Sequence, residues 1–142
     1  MIHLTQEQDY RFQIAFGGEV PDLTGDEAPP LGAGKGASPV QLLAAAVGSC
    51  LSDSLSFALR KFKQNPVPLR CEMQADVGRN PEGRMRVLRI KAVLTLGVPA
   101  DQVQHLDRAL DQFELFCTVT QSVGQGAAIE AAVHDVTGVQ LK

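Results

Sequence analysis

The side chains best suited to nucleophilic, redox or metal chemistry in this sequence are three thiols, those of Cys50, Cys71 and Cys117. Cys50 sits inside the stretch Ser38 to Lys61, SPVQLLAAAVGSCLSDSLSFALRK. There it can be a small buried hydrophobe, a metal ligand or a nucleophile, and position alone leaves all three readings open. Asp53 follows closely, and an ionised carboxylate beside the sulfur would disfavour a thiolate, so the local sequence supplies no activator. Cys117 is placed differently, after the end of a predicted helix and before Thr118, Val119, Thr120, Gln121 and Ser122. A thiol at the start of a new helical turn faces free backbone N–H groups, which lower its pKa. The bland alternative is a cysteine in an irregular link. Cys71 lies between Leu69 and Met73 on the inward face of a strand and reads as core packing.

On ligand type alone, Cys50 and Cys117 with His3, His105 or His134 could form a zinc site. No pair has the short C-x-x-C or H-x-x-x-H spacing of structural zinc sites, so the expectation is no metal and no cofactor. His105 lies between Val103 and Leu106 and His134 beside Asp135, both expected at the surface. The glycines of LGAGKGASP do not match the phosphate-loop pattern, because Lys35 precedes Gly36 and no strand leads in.

The elements that must carry these thiols can be read from periodicity. Tyr10, Phe12, Ile14 and Phe16 alternate with Arg11, Gln13 and Ala15, as in a strand ending at the Gly17-Gly18 turn. Glu19 to Ala37, with Pro21, Pro29 and Pro30, reads as a long loop holding at most one short edge strand near Val20 to Leu23. Ser38, Pro39 and Gln41 then form a capping box. Leu43, Val47, Cys50, Leu51, Ser54, Leu55, Ala58 and Phe62 fall on one helical face, opposite Ser49, Ser52, Asp53, Ser56, Arg60 and Lys63. Asn65-Pro66 stops the helix. Before Ser49 the helix is apolar nearly all round, which marks a central buried element.

A hairpin follows. Leu69, Cys71, Met73, Ala75 and Val77 face in on its first strand, and Leu88, Ile90, Ala92, Leu94 and Leu96 on its second, around a turn at Asn80-Pro81-Glu82-Gly83. Val103, Leu106, Leu110 and Phe113 predict a helix from Pro99 to about Leu115, then a short helical segment near Cys117. The last residues, IEAAVHDVTGVQL before Lys142, read as a closing strand. This order predicts an α+β fold, with a second copy of the chain covering the rest of the central helix.

A chain of 142 residues has room for one domain, spanning 1–142. Its 44% hydrophobic and 20% charged residues are globular values, and a net charge of −3 excludes a general nucleic-acid binder. Three widely spaced cysteines do not make a disulfide scaffold. No apolar run of membrane-spanning length and no leader peptide are visible, so the expectation is a soluble, cytoplasmic protein without nucleic-acid or membrane partners.

Two stretches together carry a family likeness. DEAPPLGAGKGASPVQLLAAAVGSCLSDSL (Asp26 to Leu55) and FCTVTQSV (Phe116 to Val123) resemble the OsmC/Ohr family of osmotically inducible and organic hydroperoxide resistance proteins. The first matches its Pro-initiated helix N/S-P-x-x-L-L-A-A-A-x-x-x-C, the second its C-P-V-S-x-S-L. The resemblance implies an intertwined homodimer whose two long central helices pack between antiparallel β-sheets. It also implies a thiol peroxidase without metal or haem, acting on organic hydroperoxides or hydrogen peroxide. Cys50 would attack the peroxide and Cys117 would then close a disulfide, which a dithiol of the lipoyl type would reduce. The peroxidase branch has Glu after the helix-starting Pro, where this chain has Val40, and Arg after a glycine pair, where it has Glu19. Thr118 stands in place of Pro. The sequence thus resembles a divergent OsmC-like subgroup. A non-catalytic OsmC-like dimer that binds a small apolar ligand or senses oxidation is the alternative.

Overall fold

Ser38 begins the element on which everything else packs. Its hydroxyl accepts the Gln41 N–H at 3.3 Å and its own N–H donates to Gln41 Oε1 at 2.8 Å, completing the capping box. In the computed structural model, which describes residues 1–126, the resulting helix α1 runs Pro39–Lys61. It buries Ala44, Val47, Gly48, Leu51, Leu55, Ala58 and Leu59. The helix ends four residues before Asn65-Pro66, because Lys63 takes a left-handed conformation (φ 59°) and Phe62 caps onto Leu59 and Arg60.

The predicted hairpin forms from β4 (Arg70–Arg79) and β5 (Met85–Thr95), antiparallel along their length. Asn80 closes the turn twice, accepting the Gly83 N–H at its carbonyl and the Arg84 N–H at its side chain, both at 2.9 Å. A bulge at Asp76/Val77 shifts the register, pairing Asp76 with Arg89 and Val77 with Val87. The expected inward position of Leu88 is therefore corrected: Leu88 is 57% exposed, and Val87 turns inward instead. The inner hairpin face lies close on α1. A Cβ on Gly48 would fall 2.8 Å from Met73 Cγ, so glycine there lets the strand approach.

The N-terminal region forms a second sheet, β1 (His3–Gln8), β2 (Arg11–Ala15) and β3 (Leu23–Gly25), all antiparallel. β2 lies where the alternation placed a strand, β3 begins at Leu23, the end of the stretch expected to hold a short edge strand, and β1 was not anticipated. The long loop is organised by one carboxylate. Asp26 is 3% exposed and accepts the N–H groups of Ala33 and Lys35 at 3.2 and 3.0 Å. Its own N–H donates to the Ala37 carbonyl at 3.1 Å, returning the loop to the sheet just before α1. At Gly36 a Cβ would sit 2.1 Å from the Thr24 carbonyl oxygen, which only glycine avoids. Asp26→Ala removes the buried acceptor that holds two loop N–H groups and is expected to cost about 1 kcal/mol, read from the urea midpoint at unchanged m; no shift would mean the loop does not depend on this acid.

The helix predicted from Pro99 to Leu115 is broken. It comprises a 3₁₀ turn Ala100–Gln102, the short helix α2 (Leu106–Leu110) and a second 3₁₀ turn Phe113–Phe116. The break is at His105, left-handed at φ 57°, whose ring packs 5.1 Å from that of Phe62. The preceding N–H of Gln104 donates to Gln64 Oε1 at 3.1 Å, so the chain wraps the end of α1 rather than continuing straight. The periodicity marked the buried side at Val103 and Phe113, which enter the core with Ala109, but not at Leu110, which the break turns outward. Helix α3 (Thr118–Gly124) follows, and the expected closing strand lies outside the described residues.

The fold is α+β, with two antiparallel sheets among the described residues. Helix α1 contacts β4, β5, α2, the second 3₁₀ turn and α3, whereas β1–β3 pack mainly with one another. By length and composition α1 could cross a membrane, the single such helix among the described residues, which corrects the expectation that no run qualifies. Within the chain it is a core helix, with 39% of its apolar window buried.

Candidate redox site

Two elements bring the distant cysteines together. Cys50 lies midway along α1, and Cys117 is the N-cap of α3, where α3 and the preceding 3₁₀ turn pack on α1. Cys117 is fully buried in the cluster of Val47, Leu51, Leu55, Leu59 and Phe113, and Cys50 packs against that cluster half-buried. Each thiol is among the groups that shift the ionisation of the other. All three cysteines are reduced. The third, Cys71, lies away from the pair with its Sγ 3.4 Å from Met73 Sδ, beside Gly48 on another side of α1. It packs on Met73 but is half-buried and outside the core cluster, short of the core position expected of it.

The pair's surroundings differ sulfur by sulfur. Burial is the largest influence on Cys50 and pushes its pKa up, and its hydrogen bond to Cys117 adds to this; the N–H groups of Val119 and Thr120 act the other way. Burial also raises Cys117, but hydrogen bonds from Cys50, the Thr120 hydroxyl and N–H, and the Ser54 hydroxyl outweigh it, leaving its pKa lowered. The Cys117 thiol lies 2.9 Å from Thr120 Oγ1. The lowered pKa of Cys117 agrees with its placement at the start of a helical turn.

Neither departure from the family motif touches the sulfurs among these interactions. Glu19 is exposed in the turn after Gly17-Gly18, and Val40 is half-buried in the first turn of α1. Arg11 is held on its own sheet, Nε 3.2 Å from Glu7 Oε2 and Nη2 donating to Gln8 Oε1 at 3.2 Å. Ser54 and Thr120 were not singled out from sequence as acting on a thiol. The signal was present in spacing: Ser54 is one turn beyond Cys50 on the same face, and Thr120 is at the capping distance from Cys117. Among the described residues, no three His, Cys, Asp or Glu side chains converge to hold a metal.

Next to Thr120, α1, β5 and α3 line a half-open groove of about 470 Å³. Leu43, Val47, Leu51, Ile90, Ala92 and Val123 make its wall largely apolar, with Thr120 at one side and Arg89 at another. Close to the pair on the outer surface, the Lys61 ammonium lies 4.8 and 5.3 Å from the ring centres of Phe57 and Phe116. Both rings are exposed, as is Leu115.

Comparison with known proteins places this arrangement. The model of the OsmC-like protein family matches residues 32–132, which hold α1, the hairpin and both cysteines of the pair. A search of curated proteins found no match. Among solved structures, an osmotic stress induced and detoxification response protein from Psychrobacter arcticus aligns with TM-score 0.73 at 20% identity, covering 85% of each chain. An organic hydroperoxide resistance protein OsmC from Legionella pneumophila aligns with TM-score 0.66 at 12% identity, over 87% of this chain and 88% of that one. An organic hydroperoxide resistance protein from Elizabethkingia anophelis gives TM-score 0.61 at 17% identity, over 89% of both. At such identities the likeness is one of fold, and it agrees with the family match: the chain belongs to the OsmC-like protein family.

Proposed function

We propose that this chain is a thiol-dependent peroxidase that reduces organic hydroperoxides or hydrogen peroxide through Cys50 and Cys117. The observation that supports the reading is that α3 packing on α1 brings the free thiols of Cys50 and Cys117 near enough for each to act on the other's ionisation. One sulfur, as thiolate, attacks the peroxide oxygen; the O–O bond breaks and a sulfenic acid and an alcohol form. The second thiol displaces the sulfenic oxygen as water and closes the disulfide. A small dithiol, of the lipoyl type, then returns both sulfurs to the reduced state by exchange. The single domain would work this way in a reducing cytoplasm, where a disulfide is transient and catalytic rather than structural.

The reading includes a homodimer, which exposed apolar side chains support. Leu4, Leu23, Phe57, Leu115 and Phe116 are exposed, and the first half of α1 leaves Ala45 and Ala46 uncovered. A second copy of the chain, packing α1 against α1 and its N-terminal sheet over the pair, would cover these surfaces. Light scattering is expected to give twice the monomer mass.

The test is consumption of cumene hydroperoxide with dihydrolipoamide as reductant. Sustained turnover over many equivalents is expected from the dimeric protein. If consumption never exceeds the uncatalysed rate with any dithiol, the peroxidase reading fails. The second reading is a non-catalytic dimer that binds a small apolar ligand, and the largely apolar cavity beside Thr120 favours it. It predicts saturable binding of an apolar probe with all cysteines still reduced after peroxide.

A further inference from the structure

Between Arg70 and Lys91 the chain carries six cations, Arg70, Arg79, Arg84, Arg86, Arg89 and Lys91, against three acids, Glu72, Asp76 and Glu82. The hairpin is therefore +3 in a chain of net charge −3, and the rest of the chain carries −6. Register gathers these cations. Ala75 pairs with Ile90 on the face packed against α1, so Asp76, Arg89 and Lys91 point outward. Strict alternation would then turn Arg86 to the inner face. The bulge instead pairs Val77 with Val87 and Gly78 with Arg86, which returns Arg86 to the outer face beside Arg89. Arg84 follows two residues nearer the turn, exposed like the others. Leu88, left over at the bulge, lies across Gly78, where a Cβ would fall 2.7 Å from its Cδ1. The distal outer face is thus an exposed leucine among three guanidinium groups. Asp76 occupies Arg89, accepting its Nε hydrogen at 2.8 Å, and among the described residues Arg84 and Arg86 pair with no carboxylate. Like charges gathered on one sheet face repel, and an acidic surface set against them removes that repulsion. The same strand leads to the redox pair. Leu88 and Arg89 also line the groove that holds Thr120, whose Oγ1 is 2.9 Å from the Cys117 thiol.

We propose that Arg84, Arg86, Leu88 and Arg89 form the docking surface for an acidic protein that carries the reducing dithiol on a flexible arm, and that the arm enters the groove toward Thr120. This rests on the peroxidase reading, which requires a dithiol to reach a pair whose Cys117 sulfur is fully buried. A free neutral dithiol needs only the groove. A carried dithiol needs its carrier held at the mouth of the groove, and the arginines supply both the complementary charge and the steering of the encounter. Leu88 gives the docked surface an apolar contact among the charges. The exchange balances. One arm thiolate attacks a sulfur of the Cys50–Cys117 disulfide; that S–S bond breaks, a mixed disulfide forms, and the other cysteine leaves as thiolate and takes a proton. The second arm thiol, giving up its own proton, then displaces the remaining cysteine, so the arm departs as its own disulfide and both cysteines are thiols again. Two electrons and two protons pass from arm to pair.

The test uses the full chain, cumene hydroperoxide and three synthetic peptides, each with one dihydrolipoyl-lysine flanked by glutamates, by glutamines or by lysines. Dihydrolipoamide serves as the uncharged free dithiol. At low salt the glutamate peptide is expected to show a KM about fivefold below that of the glutamine peptide, the lysine peptide one above it, and high salt should bring the three together. Arg84→Gln with Arg86→Gln should bring the glutamate and glutamine peptides to parity within the same protein. Arg108→Gln, which removes an exposed cation from α2, should leave their ratio as in the parent. Equal KM values for the three peptides at low salt, with dihydrolipoamide turned over, overturn the docking surface and leave the peroxidase reading standing. So does a glutamate preference that survives in the double variant, because the acid is then recognised elsewhere. Loss of the dimer in the double variant, seen by light scattering, would assign the face to a second copy of the chain and overturn the proposal as well. Absence of turnover with every dithiol overturns the peroxidase reading and the docking surface with it.

Discussion

Cys50→Ser and Cys117→Ser are each expected to lower hydroperoxide consumption with dihydrolipoamide by at least about a hundredfold, the lower end of what removal of a catalytic group costs. The two losses should be similar and non-additive, because the cycle cannot close on one sulfur. Serine keeps the size and a hydroxyl donor at each position, so the far-ultraviolet circular dichroism should match that of the parent. Cys71→Ser provides the contrast. Its half-buried sulfur packs on Met73 and stands apart from the pair, so turnover should stay within about twofold, with a stability loss of about 1 kcal/mol at most. A Cys71→Ser protein as inactive as the other two would show that the pair has been wrongly chosen.

Leu59→Ala is expected to be the most destabilising of the simple truncations. Leu59 is 1% exposed near the end of α1, inside the cluster that includes Val103, Ala109, Phe113 and Cys117. Removing its side chain opens a cavity beneath the segment that delivers Cys117 to Cys50. The expected loss is about 3 kcal/mol, within the 2–5 typical of buried Leu→Ala. In a chain of this length that lowers Tm by roughly 10 °C. Phe57→Ala, which removes an exposed ring from the same helix, should cost far less in the monomer fold, and a larger cost for Phe57→Ala would mean that this surface is the better buried of the two. Any extra loss it shows on dilution would then report on the dimer.

Local signals were legible where short-range chemistry decides the outcome. The capping box of Ser38 and Gln41, the Asn80–Gly83 turn and the small helix after Cys117 all form as their residue types dictate. Faces were legible too, since Val103 and Phe113 reach the core even though the helix drawn through them is broken. The break itself was not, because it depends on Gln64 reaching a backbone N–H forty residues away and on Phe62 meeting the His105 ring. Leu88 was misplaced for a similar reason: period-two alternation has no mark for a bulge that one strand accepts from its partner. The strand His3–Gln8 escaped because every residue in it is exposed, so it carries no buried stripe to read. Asp26 looked like a residue of a loose loop, and its role appears only when the chain returns to present two N–H groups.

The site was partly legible. Cys50 and Cys117 could be named from their motifs, and their meeting follows from α3 packing on α1. What no single segment displays is the set of donors around each sulfur, because Ser54 and Thr120 act across elements. A lowered thiol pKa needs no cation when enough hydrogen bonds converge on it.

The central claim is that Cys50 and Cys117 form one peroxide-reactive pair, and mass spectrometry tests it most directly. The fully reduced protein is treated with one equivalent of cumene hydroperoxide, quenched by alkylation and digested. The account predicts loss of two hydrogens from the intact chain and a disulfide-linked peptide joining Cys50 to Cys117, with Cys71 recovered as its alkylated thiol. Recovery of all three cysteines as alkylated thiols after minutes of exposure would contradict it.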